Sequence, residues 1–456
     1  MLLLLGVVFV PPFLLGLRAE KAFNERFATI ANRNGLQLLR GNFERGWFSS
    51  KAEMLLAVSG APVAISAQHN LEHGPFRYTR WLDGDFDFNL IQAQIETRGE
   101  VKLSGNNANA PAGVLAFSMD TTIDVDGNGH SQLASPAITS QGDAGKLEWR
   151  GLQGDIHFDA GARHVRTELR APGLSYAAGD IKNLSFSTDL REGIAGHYLG
   201  KSRFAIESVA FEPLLQMKKL QLGADTAADG DNLNVGIFYD IADMRVAENQ
   251  YGPGRLALEF HKLDAAVLAR FQEEIKALQR SGRPAEQLGL MQAGKLLQLI
   301  GELAKKAPEM EITELRFHLG DNEVSGNARF VLDGSKTNLA ENPLRILTAL
   351  AGEMSVWLPP ALLKPMLLPL LQADLESYQR RGLLKKEELA KLTPQHLSAI
   401  LDQTLPQYLA RHEFTRQLVP EGSRFRLNAS LRRGQVLVNG EPLGLPIAGM
   451  LLPSSR

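Results

Sequence analysis

The 456-residue chain contains no cysteine. That excludes disulfides, thiolate nucleophiles and Cys-ligated zinc, and it suits an oxidising compartment where a free thiol is a liability. An excess of either charge is also missing: 49 Lys and Arg stand against 51 Asp and Glu, a formal net charge of −2. No global field therefore draws the chain to nucleic acid. Aromatic residues are 7% of the chain and scattered, too thin for a base-stacking platform. No G-x-S-x-G elbow and no H-E-x-x-H pair occurs, and the ten histidines have no local metal-ligand spacing. Glu273-Glu274 and Glu387-Glu388 are adjacent, so on a helix each pair diverges and cannot share a proton.

Two partial motifs fail on their own terms. Gly289 to Lys295 has the spacing of a phosphate loop, but Leu296 stands where Ser or Thr must reach magnesium, and a helical stripe surrounds it. No nucleotide partner is expected. Asp124-x-Asp126-x-Asn128-Gly129 copies half a calcium loop, yet Ser135 occupies the position of the bidentate Glu, so a hairpin turn is the expectation. Neither metal nor cofactor is expected. The basic cluster Arg380, Arg381, Lys385 and Lys386 reads as a solvated helix junction, with anionic headgroups as the alternative contact.

Long hydrophobic runs are scarce, and the one present is short. Leu2 to Leu17 is uncharged, with Arg18, Glu20 and Lys21 after it, whereas a full span needs about 20 residues. No good cleavage site follows and no basic residue precedes it. An uncleaved membrane anchor over residues 1–17 is the first reading, a cleaved signal the second and a buried helix the third. The lack of a basic flank leads us to expect a true start further upstream. An amphipathic helix is expected over 18–35, with Phe23, Phe27 and Ile30 on one face and Asn34-Gly35 as its stop.

What the body has in quantity is alternation. Residues 36–263 read as a long antiparallel β-rich region, a meander or curved sheet, with Gly, Asp and Asn turns and a hairpin about Arg98-Gly99. The period then changes. Asp264 caps a helical hairpin over 264–307, restarted at Pro284, and strands return over 308–358. A helical segment over 359–411 is expected to break near Pro365 and Pro369, at Gly382 and at Thr393-Pro394. Residues 412–456 give a C-terminal β-hairpin, turning at Arg433-Gly434, and a tail. The fold class is α+β with an N-terminal membrane anchor and two helical insertions.

One stretch, Leu36 to Phe76, concentrates unusual residues. Asn42-x-x-Arg45-Gly46-x-Phe48-Ser49-Ser50 is followed by His73-Gly74-Pro75-Phe76. Gly46 and Gly74 are expected at turns, where a positive φ would strain any other residue, and Trp47, Phe48 and Phe76 should pin them to a sheet face. Arg45 has Glu44, Glu53 or Glu72 as nearby partners, or is solvated. His73 reads as a turn residue, with a catalytic base as the alternative.

This pattern resembles the YdgA-like family of bacterial envelope proteins. Tyr251-Gly252-Pro253-Gly254 before the Asp264 helix, and Gly434-Gln435 with Asn439-Gly440, match further family features in the same order. The region from Ser104 to Val246 carries no such signature. The resemblance implies an inner-membrane anchor and a body facing the periplasm, but no reaction and no catalytic residues. Two readings follow: a non-catalytic protein that binds a lipid or an extended envelope ligand, or an envelope hydrolase whose site is assembled from distant residues including His73.

Overall fold

The computed structural model describes residues 2–27, 36–58, 63–78, 84, 89–103, 113–142, 145–176, 179–280, 285–334, 346–385, 391–411, 415–432 and 434–442. The chain divides into two units, Met1–Thr226 and Ala227–Arg456. Antiparallel strands dominate both, so the protein is α+β with a β-rich sheet. The expected turn residues Asn34-Gly35, Pro284 and Arg433 lie outside the described residues, as do Ile30, Lys386 and the Glu387-Glu388 pair.

The first unit opens with helix α1 (Leu2–Ala22), which passes unbroken through Pro11 and Pro12 and through the expected boundary at residue 17. A π-turn (Phe23–Phe27) follows it. The strands are β1 (Leu36–Arg45), β2 (Ser49–Val58), β3 (Val63–His73), β4 (Ile91–Leu103), β5 (Gly113–Asp124) and β6 (Gly129–Ser135). Then come β7 (Ile138–Gly142), β8 (Gly145–Trp149), β9 (Leu152–Phe158), β10 (His164–Tyr176), β11 (Gly179–Glu192), β12 (Tyr198–Phe211) and β13 (Leu215–Asp229), inside which the unit boundary falls.

Among the described residues no helix is long and apolar enough to cross a membrane. One sequence expectation fails here: the hairpin about Arg98-Gly99 is one continuous strand, β4. Gly99 is extended there because Phe117 of β5 lies over it where a Cβ would stand, so the glycine marks a close approach and no turn. By contrast Asp124 does close the β5–β6 turn: its Oδ1 accepts from the amides of Asp126 and Asn128, both at 2.9 Å, and Gly127 takes φ +88.

Strand register sorts the side chains of this unit into two unlike faces. On one face, directly paired residues run Phe43, Ala52, His69, Thr97, Met119, Leu133, Gly154, Leu169, Phe186, Phe204 and Leu222. The adjacent rows are similar, for example Ser50, Leu71, Ile95, Thr121, Ser131 and Ile156. On the other face the paired residues include Lys51, Glu96, Asp120, Asp155, Glu168 and Arg203. Ion pairs such as Arg166 with Asp189 at 2.9 Å sit on that side.

The second unit repeats the recipe. Its strands are β14 (Asn232–Ile241), β15 (Asp243–Val246), β16 (Asn249–Asp264), β17 (Glu309–Leu319), β18 (Asn322–Leu332), β19 (Leu350–Leu358), β20 (Val419–Glu421), β21 (Arg424–Arg432), β22 (Gln435–Val438) and β23 (Glu441–Pro442). Its helices are α2 (Ala265–Arg280), α3 (Ala285–Leu303), α4 (Pro360–Arg380) and α5 (Pro394–Arg411), with a helical turn at Ile346–Ala349. Asp264 caps α2, accepting from the Val267 amide at 3.0 Å. Burial raises this carboxyl, but the Lys306 ammonium and the helix amides outweigh it and hold it below its ordinary value.

The core of this unit lies under α4 and α5. Leu363, Leu367 and Leu371 face Leu397, Leu401, Leu405 and Leu409, and the pair packs on Leu427 and Val438 of the sheet. The four-residue spacing puts each set on one stripe. Helix α4 was expected to break at Pro365 and Pro369, yet it runs straight through. Both prolines lie on its exposed side, opposite the leucine stripe, and burial of that stripe offsets the lost amide bonds. It ends at Gly382, φ +74, and α5 starts behind Thr393, whose Oγ1 accepts from the His396 amide at 3.3 Å.

Candidate functional site

The residues singled out in sequence converge on one place in the first unit, where α1 lies on β1, β2 and β3. Strands β1 and β2 meet at Arg45-Gly46-Trp47-Phe48, and β3 ends at His73 beside them, its amide donating to the Phe48 carbonyl at 2.8 Å. Neither Gly46 nor Gly74 has a positive φ. Each is needed for space: a Cβ on Gly46 would run into the Ser49 carbonyl, and one on Gly74 into the Ile91 carbonyl. The ring of Phe48 lies 5.0 Å from Tyr78 and that of Phe76 6.2 Å from it. Asn42 stays at the surface, donating to Glu44 at 3.3 Å, and Ser49 is exposed too. Pro75 accepts through its carbonyl from the Ile91 amide at 3.0 Å.

His73 is the centre of this turn. It is 1% exposed, Ser50 is 2% exposed, and Ser50 Oγ lies 2.9 Å from His73 Nε2. The other nitrogen, Nδ1, donates to the Trp47 carbonyl at 3.3 Å. Burial pushes the imidazole below its ordinary value, more than the Trp47 and Pro12 carbonyls raise it, and the positive charge of Arg45 adds to the lowering. Its surroundings thus favour the neutral ring. In this Ser–His pair Nδ1 meets a backbone carbonyl where a catalytic triad has a carboxylate, and among the described residues the buried hydroxyl has no open path to solvent.

Helix α1 closes that path. A Cβ at Gly16 would stand 2.5 Å from His73 Cε1, so only glycine lets the helix come this near. Pro12 is fully buried beside it. Phe13 stacks on Trp47 with ring centroids 4.8 Å apart, and Arg45 lies 5.0 Å over the Phe13 ring. Arg45 reaches a partner distant in sequence: its Nε donates to Glu20 of α1 at 2.7 Å. Residues 12, 13 and 16, within the stretch expected as an anchor, pack on protein. The sequence carried one overlooked signal: glycine at 16, four residues after Pro12, is the small spot a close helix–sheet contact requires.

Next to the turn, α1 and the sheet line an open-sided cavity of about 530 Å³. Leu15, Ala19, Ala22 and Phe23 form its roof; Ala52, Leu71, Ala93, Ile95, Met119 and Ile123 its floor. The floor's polar groups are satisfied: His69 Nδ1 lies 2.8 Å from Thr97 Oγ1, and Thr121 is 2.8 Å from Ser131. Burial lowers His69 as well, so no charge enters the floor. Arg18 stands exposed at the rim.

Elsewhere the chemistry is sparse. Gly289 to Lys295 is helical within α3 and forms no phosphate loop. Glu274 pairs with Lys295 at 2.9 Å and Glu273 with Lys276 at 3.1 Å, so these carboxylates serve separate ion pairs. Among the described residues the one group with metal-ligand proximity is Glu259, His261 and Glu311, on β16 and β17, their ligand atoms within 4.8 Å. Its imidazole already pairs with Glu259 at 3.3 Å, and Glu259 is exposed.

Fold and site together define an α+β protein with a one-sided antiparallel sheet, whose most distinctive turn is covered by its own N-terminal helix. The chain belongs to the family described as bacterial protein of unknown function (DUF945), matched over residues 1–446. It is similar to Protein YdgA of Escherichia coli strain K12, at 21% identity over 284 residues, 56% of this chain and 55% of that protein. The match thus spans about half of the relative's length. No solved structure matches.

Proposed function

We propose that the protein is a non-catalytic, membrane-anchored periplasmic protein that holds the acyl chain of a lipid in the cavity between α1 and the sheet. One observation carries this reading: the cavity is sizeable, uncharged and roofed by apolar residues, with a guanidinium at its rim. Ligand sites typically measure about 300–1,000 Å³ and are mostly apolar with few polar groups. Each methylene that leaves water for such a space gains about 0.8 kcal/mol. Arg18 has the sign to meet an anionic headgroup. The uncharged run before it and the absence of cysteine support a place at the periplasmic face of the inner membrane. An alkaline phosphatase fused to the C-terminus should be active in cells; activity of a cytoplasmic reporter alone would contradict that placement.

Native mass spectrometry of the full chain from detergent tests the binding. A lipid adduct is expected on the wild type and should be lost in Ala93→Trp, which fills the cavity from β4. The absence of any adduct, or its full retention in a folded Ala93→Trp protein, would contradict the reading.

A further inference from the structure

Helix α1 covers one end of the uncharged face, but the face does not stop there. The row that passes through the cavity at Thr97 and Met119 goes on by direct pairing through Leu133, Leu169, Phe186 and Phe204 to Leu222. Eleven strands contribute, from β1 to β13 without β7 and β8. Ten steps of about 4.8 Å give a path of about 48 Å. Beyond the cavity the described helical segments of this unit amount to the turn Ile194–Gly196, in the β11–β12 connection. Phe186 is 36% exposed, and its row partners are half-buried.

We infer that the uncharged face beyond α1 is a lipid-binding surface that extends the cavity, accommodating acyl chains along β6 to β13. This rests on the reading of the cavity as an acyl-chain site. Three observations favour lipid over a second copy of the chain. The face is continuous in register with an apolar cavity that already takes apolar cover from α1. Its rows mix branched and aromatic side chains with Gly154, Gly129 and Gly200, a low relief that suits a flexible chain better than interdigitating side chains. From β6 to β12 the rows through Ser131, Leu133 and Ser135 carry no ionic side chain, whereas ionic residues, which fix register and orientation in protein interfaces, crowd the opposite face. The bilayer's hydrocarbon core is about 30 Å thick, so one acyl chain spans about 15 Å and the path is long enough for about three end to end.

The full chain carrying benzoylphenylalanine at Phe204 (far face), Met119 (cavity) or Glu168 (charged face) is irradiated with phosphatidylglycerol vesicles and its adducts are weighed. Lipid adducts are expected at Phe204 and Met119, at least tenfold above Glu168. Leu169→Asp, in the middle of the row, should cut the Phe204 adduct at least tenfold and spare the one at Met119. Adducts at Met119 alone would overturn this inference and leave the cavity reading intact. No adduct at either place would overturn both. A protein–protein adduct at Phe204 would assign the face to a second copy, and equal labelling at Glu168 would show no preference for the face.

Discussion

Both units lay down an antiparallel sheet with one apolar face, and they differ in what they put on it. In the second unit, α4 and α5 seal Leu427 and Val438 beneath leucines that are at most 8% exposed. In the first, α1 covers only one end and leaves a cavity even there. Among the described residues its buried hydrophobics are scattered along the sheet, from Ala52, Leu56 and Ala67 to Ile91, Leu147 and Val209. The same strand pattern can thus serve a packed core or a binding surface, and the helix laid over it decides which. The sharpest contrast is between Leu401, fully buried between two helices, and Met119, which lines a void.

The largest effect should separate these two residues. Leu401→Ala should cost about 2–5 kcal/mol, since a tight site cannot collapse around the missing atoms. Met119→Ala, beside existing empty space, should cost less than half as much. Chemical denaturation of the two variants measures both; equal losses would erase the distinction between the units.

A smaller effect is expected at the helix–turn contact. Gly16→Leu places a side chain where His73 stands, and overpacking of this kind costs about 1–3 kcal/mol. Hydrogen exchange should show α1 losing protection while α4 and α5 keep theirs. Unchanged protection of α1 would mean the contact is dispensable.

The smallest effect is the pH dependence. A histidine whose native pKa lies below its unfolded value takes its proton more readily in the unfolded chain. The stability held by His73 and His69 is therefore complete above their ordinary value of 6.5 and is lost as pH falls from there towards the native pKa. Each group contributes at most about 1.4 kcal/mol per pH unit. His73→Asn should flatten the slope and stay folded, and a slope unchanged in that variant would show the ring is not what titrates.

Much of this was legible in the residues. Alternation gave the β-rich body, Asp264 and Thr393 gave the helix starts, and Asp124 to Gly129 gave a turn. The N-x-x-R-G-x-F-S-S and H-G-P-F segments were readable as one feature because both flank turns. Their purpose was not. Arg45 finds Glu20 and His73 finds Gly16 across long sequence separations, and no local pattern encodes which helix will lie over a turn. Gly99 misled for a related reason, because a glycine that admits a neighbouring ring looks the same in sequence as one that turns the chain. Pro365 and Pro369 misled because tertiary burial of the opposite stripe outweighs local propensity. The two-faced register of the first unit is written in the alternation of every strand, but it becomes one surface only when the pairings are known.

The central claim is that an acyl chain sits beneath α1, out of water. Electron paramagnetic resonance of a fatty acid carrying a nitroxide near its methyl end, added to the full chain, measures this directly. An immobilised spectrum, shielded from an aqueous relaxing agent and abolished in Ala93→Trp, is the predicted result. A freely tumbling label, or an immobilised one that the relaxing agent reaches as easily as in buffer, would contradict it.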